Sequence, residues 1–490
     1  MNKTRDAEAF RAEHDPQYEV NNPTQVYGRV LRKDVQVFII TAAQNATPVE
    51  KTFWGVLQCM AKMRNAELLV VPLRYKNPTS KWTGSQQNAE WWAPELRPYL
   101  WNVRHSLNKN LMLLADVKTQ PTMSNPLTGI DALSHAASGI VGHTKLQLRS
   151  VATPSNRMAK ILTTTGAVTV PNYNDARVGK LGEFHHSQSA IIVEVDGGYF
   201  ALRHLHFDKK TGTVTDLNIR WNATGGEVAP RAEALVLGDV HVDYIDPVVK
   251  QATFGPRGLV PLLDPKRIVY HDLLDAYAVN GHHVGNPFNA IAKRKAGRDD
   301  ARMEVLRAID FVKEHTPKGC EAVVVSSNHD DMLRRWIVNA DWKEDATNAE
   351  FYLETALHMV RNATLGKGGT EYPSPFPYWL KKYASDVRVL GGDESLVVCG
   401  VELGMHGDRG PNGARGSARN LRRIGVRSII GHSHSPEIAE GCYQTGTSTR
   451  LRLEYNSGPS SWLNAHVVLN ADGKRQLVII VDGRFRHVPK

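Results

Sequence analysis

The stretch SSNHDDMLRRW, Ser326 to Trp336, sets an amide, an imidazole and a carboxylate side by side in Asn328, His329 and Asp330, directly after the apolar run EAVVV. An amide oxygen can bind a cation without neutralising it, and an imidazole can move a proton near neutral pH. Four more apolar runs end in residues of the same kind. EALVLGDVHVD ends in Asp239 and His241, KRIVYHDLLDAY in Asp272, SLVVCGVELGMHGD in His406, and VRSIIGHSHSP in His432 and His434. Two aspartates, an asparagine and four histidines form a hard-to-borderline donor set, suited to manganese, iron or zinc and poorly matched to calcium. Seven donors are too many for one ordinary ion.

Any one of these motifs is a weak signal, because an isolated DxH or NHD is more often a turn or a helix cap, and a lone His406 a structural histidine. Their context is stronger: all five follow strand-like runs, in order. Carboxyl ends of neighbouring strands in an α/β sheet open onto one edge, so scattered donors can converge there. Helical segments separate some of the strands. DDARMEVLRAIDFVKEH has Asp299 or Asp300 as its N-cap candidate and Gly319 beyond its end, and SARNLRRI lies between Ser417 and Gly425.

Upstream, VQVFIITAA reads as a buried strand, PVEKTFWGVLQCMAKMRN as an amphipathic helix and AELLVVPLRY as a second strand. Further apolar runs continue a sheet to about residue 230, with DGG marking a hairpin. NATGGEVAPRAE then supplies a boundary. The expected organisation is a polar tail or arm over 1–34, an α/β domain over 35–230 and a metal-binding region over 231–490. The last strands are expected around an Asp472-Gly473 turn.

The 490 residues suit two or three domains, and the 41% hydrophobic and 22% charged fractions are those of a soluble globular protein. No apolar run approaches a membrane span and the start is too polar for a signal peptide, so a cytoplasmic location is expected. The four cysteines are isolated, and reduced thiols are the simplest state. A formal charge of +10 favours polyanionic partners. Basic groups cluster in KRK at Lys293 to Lys295, in Arg334 and Arg335 after the NHD motif, and in Arg409, Arg415, Arg419, Arg422 and Arg423 between His406 and His432.

In order, the motifs resemble those of the calcineurin-like metallophosphoesterases: DxH, GD, GNH followed by D or E, a single His, then GHxH. The matches are DVH at 239–241, HD at 271–272, SNHD at 327–330, MHG at 405–407 and GHSH at 431–434. His271 and Ser327 stand where the family has glycine. A histidine at 271 could crowd the metals or contact substrate, and Asp275 is a rival to Asp272. The resemblance covers roughly the C-terminal 260 residues. It implies a two-sheet sandwich flanked by helices, preceded here by a separate α/β domain, and a kinship with nuclease-type members such as phage DNA-degrading proteins. It divides the ligands into Asp239, His241, Asp272 and His434 around one ion and Asp272, Asn328, His406 and His432 around the other, with Asp272 bridging. Two such ions, manganese first and iron or zinc as alternatives, would polarise a phosphate and lower the pKa of a water between them. His329 would stabilise charge or protonate the leaving oxygen and Asp330 would orient its ring, as the corresponding residues do in the family. The competing role for Asp330 is a cap of the helix that follows.

The expected function is a DNA nuclease with nucleic acid as its partner. Arg334, Arg335, Arg409 and His283 are its candidate substrate contacts. The alternatives are a small-molecule phosphodiesterase or phosphoprotein phosphatase, and a non-catalytic nucleic-acid-binding or scaffold protein. His185, His186, His204 and His206 are expected to be structural or surface residues, whereas His282 and His283 could border the cleft. Trp82, Trp91, Trp92 and Trp101 suit a stacking platform, or a core or homo-oligomer contact.

Overall fold

The computed structural model describes residues 27–74, 92–154, 157–366, 369–453 and 456–487. Among these the chain forms a mixed α/β structure of three large sheets, a small hairpin and ten α-helices. No helix in these residues is long and apolar enough to cross a membrane.

The opening strand–helix–strand unit forms as the sequence predicts. Val37–Gln44 and Glu67–Leu73 pair in parallel, joined by the helix Lys51–Met63, whose buried face is Phe53, Trp54, Val56, Leu57 and Met60. Glu50 caps that helix by accepting the Phe53 N–H at 2.6 Å. The strands Ser189–Asp196, Tyr199–Asp208, Thr213–Asp216, Ile219–Trp221 and Gly226–Val228 extend the same sheet to seven, each antiparallel to the last. Trp82 and Trp91 lie outside the described residues; Trp92 and Trp101 are core residues. Of the expected tail, residues 27–34 dock on the sheet, where Arg29 and Arg32 pair with Glu67 at 2.6 and 2.8 Å.

A six-stranded sheet carries four parallel strands in the order Arg388–Leu390, Glu321–Val325, Arg267–Tyr270 and Ala234–Val236, and then the antiparallel pair Asn464–Leu469 and Arg475–Ile480. Its strands are apolar on both faces because both are covered. Val269 and Val323 point into a core shared with the other two sheets, while Ile268, Tyr270 and Val324 pack beneath helices, against Val305, Ile309 and Trp379.

The third sheet overturns the expected boundary at residue 230. Its ten strands include Arg104–Asn108, Leu111–Leu114, Ser138–Val141, Gln147–Val151 and Lys160–Thr164 from the first half, and Val397–Val398, Val401–Glu402, Ser428–Ile430, Glu437–Ala439 and Cys442–Gln444 from the second. The halves join where Ile438 pairs with Leu148 and Glu437 with Arg149. The region before residue 231 is therefore not a separate α/β domain. NATGGEVAPRAE holds the exposed edge strand Gly226–Val228, a turn signal at a sheet edge rather than a linker.

Candidate metal centre

The seven predicted donors leave the carboxyl ends of strands in two facing sheets. Ala234–Val236 runs into Asp239 and His241, Arg267–Tyr270 into Asp272, and Glu321–Val325 into Asn328, all from the six-stranded sheet. Val401–Glu402 and Ser428–Ile430, in the ten-stranded sheet, run into His406, His432 and His434. Backbone bonds extend past the strands to tie these turns together: His241 N–H donates to the Asp272 carbonyl at 2.6 Å and Gly431 N–H to the His406 carbonyl at 2.7 Å. His241, Asp272, His432 and His434 all have left-handed backbones, with φ of 40°, 44°, 77° and 58°. Non-glycine residues adopt that conformation at a cost of order 1–3 kcal/mol and retain it where the surroundings enforce it. Gly431 meets a steric demand, because a Cβ there would lie 2.4 Å from Asp239 Oδ1.

The side chains converge. His434 Nε2 lies 3.1 Å from Asp239 Oδ2 and 3.2 Å from His241 Nε2, which is 3.7 Å from Asp272 Oδ2. On the other side of Asp272, its Oδ2 lies 3.2 Å from His406 Nε2. Asn328 Oδ1 stands between His406 Nε2 at 3.1 Å and His432 Nδ1 at 3.0 Å. One carboxylate oxygen thus touches both donor sets.

Asp239, His241, Asp272 and His434 form a buried group that could hold a metal ion. Donors each about 2.1 Å from one ion stand roughly 3 to 3.5 Å apart, close to the spacing found here. Asp239 and Asp272 are both buried, and Asp272 Oδ1 makes no hydrogen bond, the condition a cation relieves. Burial favours their neutral forms, yet the histidines win: the His434 contact brings Asp239 down to about 2, and His406 and its neighbours hold Asp272 well below the usual range. Conversely, burial pushes His241 and His406 down, but the carboxylates around them raise both to about 9. The centre gathers carboxylates and histidines that hold one another in their charged forms.

No protein-family model and no solved structure matches the chain. Among curated proteins it is 30% identical over 465 residues to "Protein A1" of Escherichia phage T5, an alignment spanning 91% of this chain and 82% of that protein. The chain belongs to the Protein A1 family. That name states no chemistry.

Asp275 holds two of those residues in place. Its Oδ1 lies 3.2 Å from His241 Nδ1, and its carbonyl oxygen lies 2.9 Å from His329 Nδ1. His241, Asp275 and His329 also converge closely. His241 already turns Nε2 to Asp272 and His434, so Asp275 serves as the partner of its outer nitrogen, as carboxylates commonly do for metal-binding histidines. His329 is partly exposed and packs edge-on to His241, ring centres 4.7 Å apart.

Asp330 does not orient His329. It is buried in a capping box, accepting the Ser327 N–H at 3.0 Å while its own N–H points to Ser327 Oγ at 3.4 Å, and Ser327 is the N-cap of helix Asn328–Asn339. Burial, opposed by that bond and reinforced by Asp272, raises Asp330 to about 7. His271 stands outside the donor cluster, fully buried behind His406, Nδ1 to Nδ1 3.3 Å, and reaches no cleft surface. Burial and the neighbouring His406 hold it down at about 4, a neutral ring. Trp462, which the sequence reading missed, packs its ring 4.2 Å from that of His434. No local signal ties it to a motif 28 residues away.

The predicted substrate contacts divide. Arg334 is engaged by Asp331 at 2.5 Å and the Tyr372 hydroxyl at 3.2 Å, and Arg335 by Asp331 at 3.0 Å. Arg409, its side chain 62% exposed and 3.6 Å from Asp408 Oδ2, borders a cleft of about 410 Å³ that His406, Ser326 and Ser327 also line. His283 packs edge-on to Tyr277, two residues from Asp275. Arg419 and Arg422 pair with Glu437 and Glu440 at 2.9 and 3.2 Å, and Lys293 is buried with its Nζ on the Ala278 carbonyl at 3.1 Å. His186 and His204 are structural, bonded to the Thr169 and Thr164 carbonyls.

Proposed function

We propose that this chain is a two-metal phosphodiester hydrolase of the calcineurin-like metallophosphoesterase type, and that its substrate is DNA. The observation that carries the reading is the position of Asp272 Oδ2, 3.7 Å from His241 Nε2 and 3.2 Å from His406 Nε2, between two donor sets. Asp239, His241 and His434 would hold one ion with Asp272, and Asn328, His406 and His432 the other. Manganese is the first candidate, since the mixed oxygen and nitrogen donors suit it, iron or zinc.

Bound ions of this kind supply Lewis-acid polarisation of a phosphoryl group and an ionised water near neutral pH. The protein's residues do the rest. Asn328 contributes an oxygen without charge, which leaves the site attractive to a phosphate. Asp275 fixes His329 through Nδ1, so that Nε2 is the nitrogen free to exchange a proton with a leaving oxygen. Arg409 places a cation at the cleft mouth beside His406. The formal charge of +10 favours a polyanion, and DNA is the one proposed.

The test is metal analysis joined to an activity panel with manganese: linear duplex, single strand, cyclic nucleotides, bis(p-nitrophenyl) phosphate and p-nitrophenyl phosphate. The reading expects two equivalents of metal and diester cleavage, with DNA preferred. A folded sample that binds no metal rejects it. Efficient turnover of a cyclic nucleotide with no action on DNA reassigns the protein to small-molecule phosphodiesterases.

A further inference from the structure

A second concave site lies at the edge of the molecule opposite the donors. A cavity of about 510 Å³ is lined by Lys209, Lys210, Arg427, Lys474 and Arg475. Arg427 precedes the strand Ser428–Ile430, whose other end leads to His432, and the turn holding Lys474 adjoins the start of Ala234–Val236, whose other end leads to Asp239. The volume falls within the range of small-ligand pockets.

Three carboxylates lie nearby, two of them, Asp208 and Glu440, in the lining itself, fewer than the cations around them. Glu440 is paired with Lys145 at 2.7 Å and Arg422 at 3.2 Å. Asp208 accepts the Lys210 N–H at 3.1 Å and the Thr211 hydroxyl at 2.7 Å, and Asp472 accepts the Lys474 N–H at 2.9 Å. Among the described residues none of the five cations pairs with a carboxylate. Arg475 is buried and immobilised, donating from Nη1 to the Ser428 and Gly441 carbonyls at 3.0 and 2.6 Å with its guanidinium 4.2 Å from the Tyr443 ring centre. Cations gathered in a concavity repel one another, and a bound anion relieves that repulsion. Phe184, which lines the same cavity, is 82% exposed, a large apolar ring left in water and set edge-on to the His185 ring 5.0 Å away. An aromatic face next to cations is the pairing that receives a base and its phosphate.

We propose that this cavity binds a nucleoside phosphate, its phosphate on Arg427, Lys474 and the Lys209–Lys210 pair and its base on Phe184. The site is separate from the metal centre and stands whether or not that centre hydrolyses diesters. The same chemistry is presented by a free nucleotide and by the end of a nucleic-acid strand. Titration calorimetry on the full chain, in EDTA, with dAMP, dATP and a short single-stranded oligodeoxynucleotide distinguishes the two; dAMP is repeated with manganese.

Binding is expected to be unaffected by chelation. Lys209→Glu with Lys210→Glu, and separately Arg427→Glu, should each weaken it by about tenfold or more, the scale of losing charged contacts. Phe184→Ala should weaken it by about fivefold or more, through lost stacking. These side chains are exposed, and an unchanged melting temperature shows that the variants are folded. An oligonucleotide that binds more tightly than dAMP identifies a strand end as the ligand, and equal affinities identify the free nucleotide. Failure of all three probes to bind, or charge variants that bind like the parent, overturns the proposal.

Discussion

At the scale of single residues, Asp272 and Asp330 are both buried carboxylates near His329, yet they should behave in opposite ways when changed. Asp272 touches both donor sets, so Asp272→Asn is expected to lose most of both metal equivalents, as measured by elemental analysis after dialysis against manganese. Asp330 serves the backbone of its own helix. Asp330→Ala should lower stability by about 0.5–2 kcal/mol, the cost of a lost cap, in denaturant titration, with metal content retained. His329→Ala should keep the fold and the metal while hydrolysis of a diester with a poor leaving group falls by roughly 10²–10⁴. An unchanged rate would remove His329 from the mechanism. The donors were legible in the sequence because each follows an apolar run and belongs to an ordered set. Asp275 and Trp462 were not identified as partners. Asp275 acts through a carbonyl and a contact that no spacing encodes, and Trp462 arrives from a loop distant in the chain.

At the scale of elements, a fully buried ionic clamp lies away from the donors. Arg203 is buried, with Glu194 at 2.9 Å, Asp216 at 2.7 Å and the Phe485 carbonyl at 3.0 Å, tying three strands of the seven-stranded sheet to the C-terminal segment. Arg203→Met should cost about 3–5 kcal/mol, because two buried carboxylates lose their buried partner and keep only the partly exposed Arg64, 2.5 Å from Glu194 and 4.0 Å from Asp216, as a cation. Burial raises the pKa of both acids, but Arg203 overcomes it and holds each below its ordinary value. Their contribution is therefore present above the unfolded carboxylate range and is lost as pH falls through the depressed folded values. Acid titration of the unfolding free energy should show this loss in the parent and a shallower one in the variant. Long strands such as Val37–Gln44 and Ser189–Asp196, buried along nearly their whole length, were readable as continuous apolar runs. Strands of two or three residues, such as Val397–Val398 and Glu437–Ala439, are too short to show any period.

At the scale of the whole molecule, the sequence suggested two bodies because composition changes near residue 230, but pairing between Gln147–Val151 and Glu437–Ala439 joins them. Such pairing across nearly 300 residues leaves no local trace in the sequence. Protease should still cut the exposed Gly226–Val228 segment, giving two bands on a denaturing gel that elute together in size exclusion. Fragments that separate in native buffer would restore the two-domain view. The shared sheet also governs when activity can first appear during synthesis. While a ribosome is still making the chain, the strands between residues 104 and 164 wait with an unpaired edge for partners more than two hundred residues away. The donor set stays incomplete until His434 has emerged and that edge is closed. If the chain cleaves DNA as proposed, it is in this way harmless while nascent, and nonsense or frameshift truncations before residue 434 should yield aggregation-prone products that bind no metal at the complete donor set rather than partly functional ones.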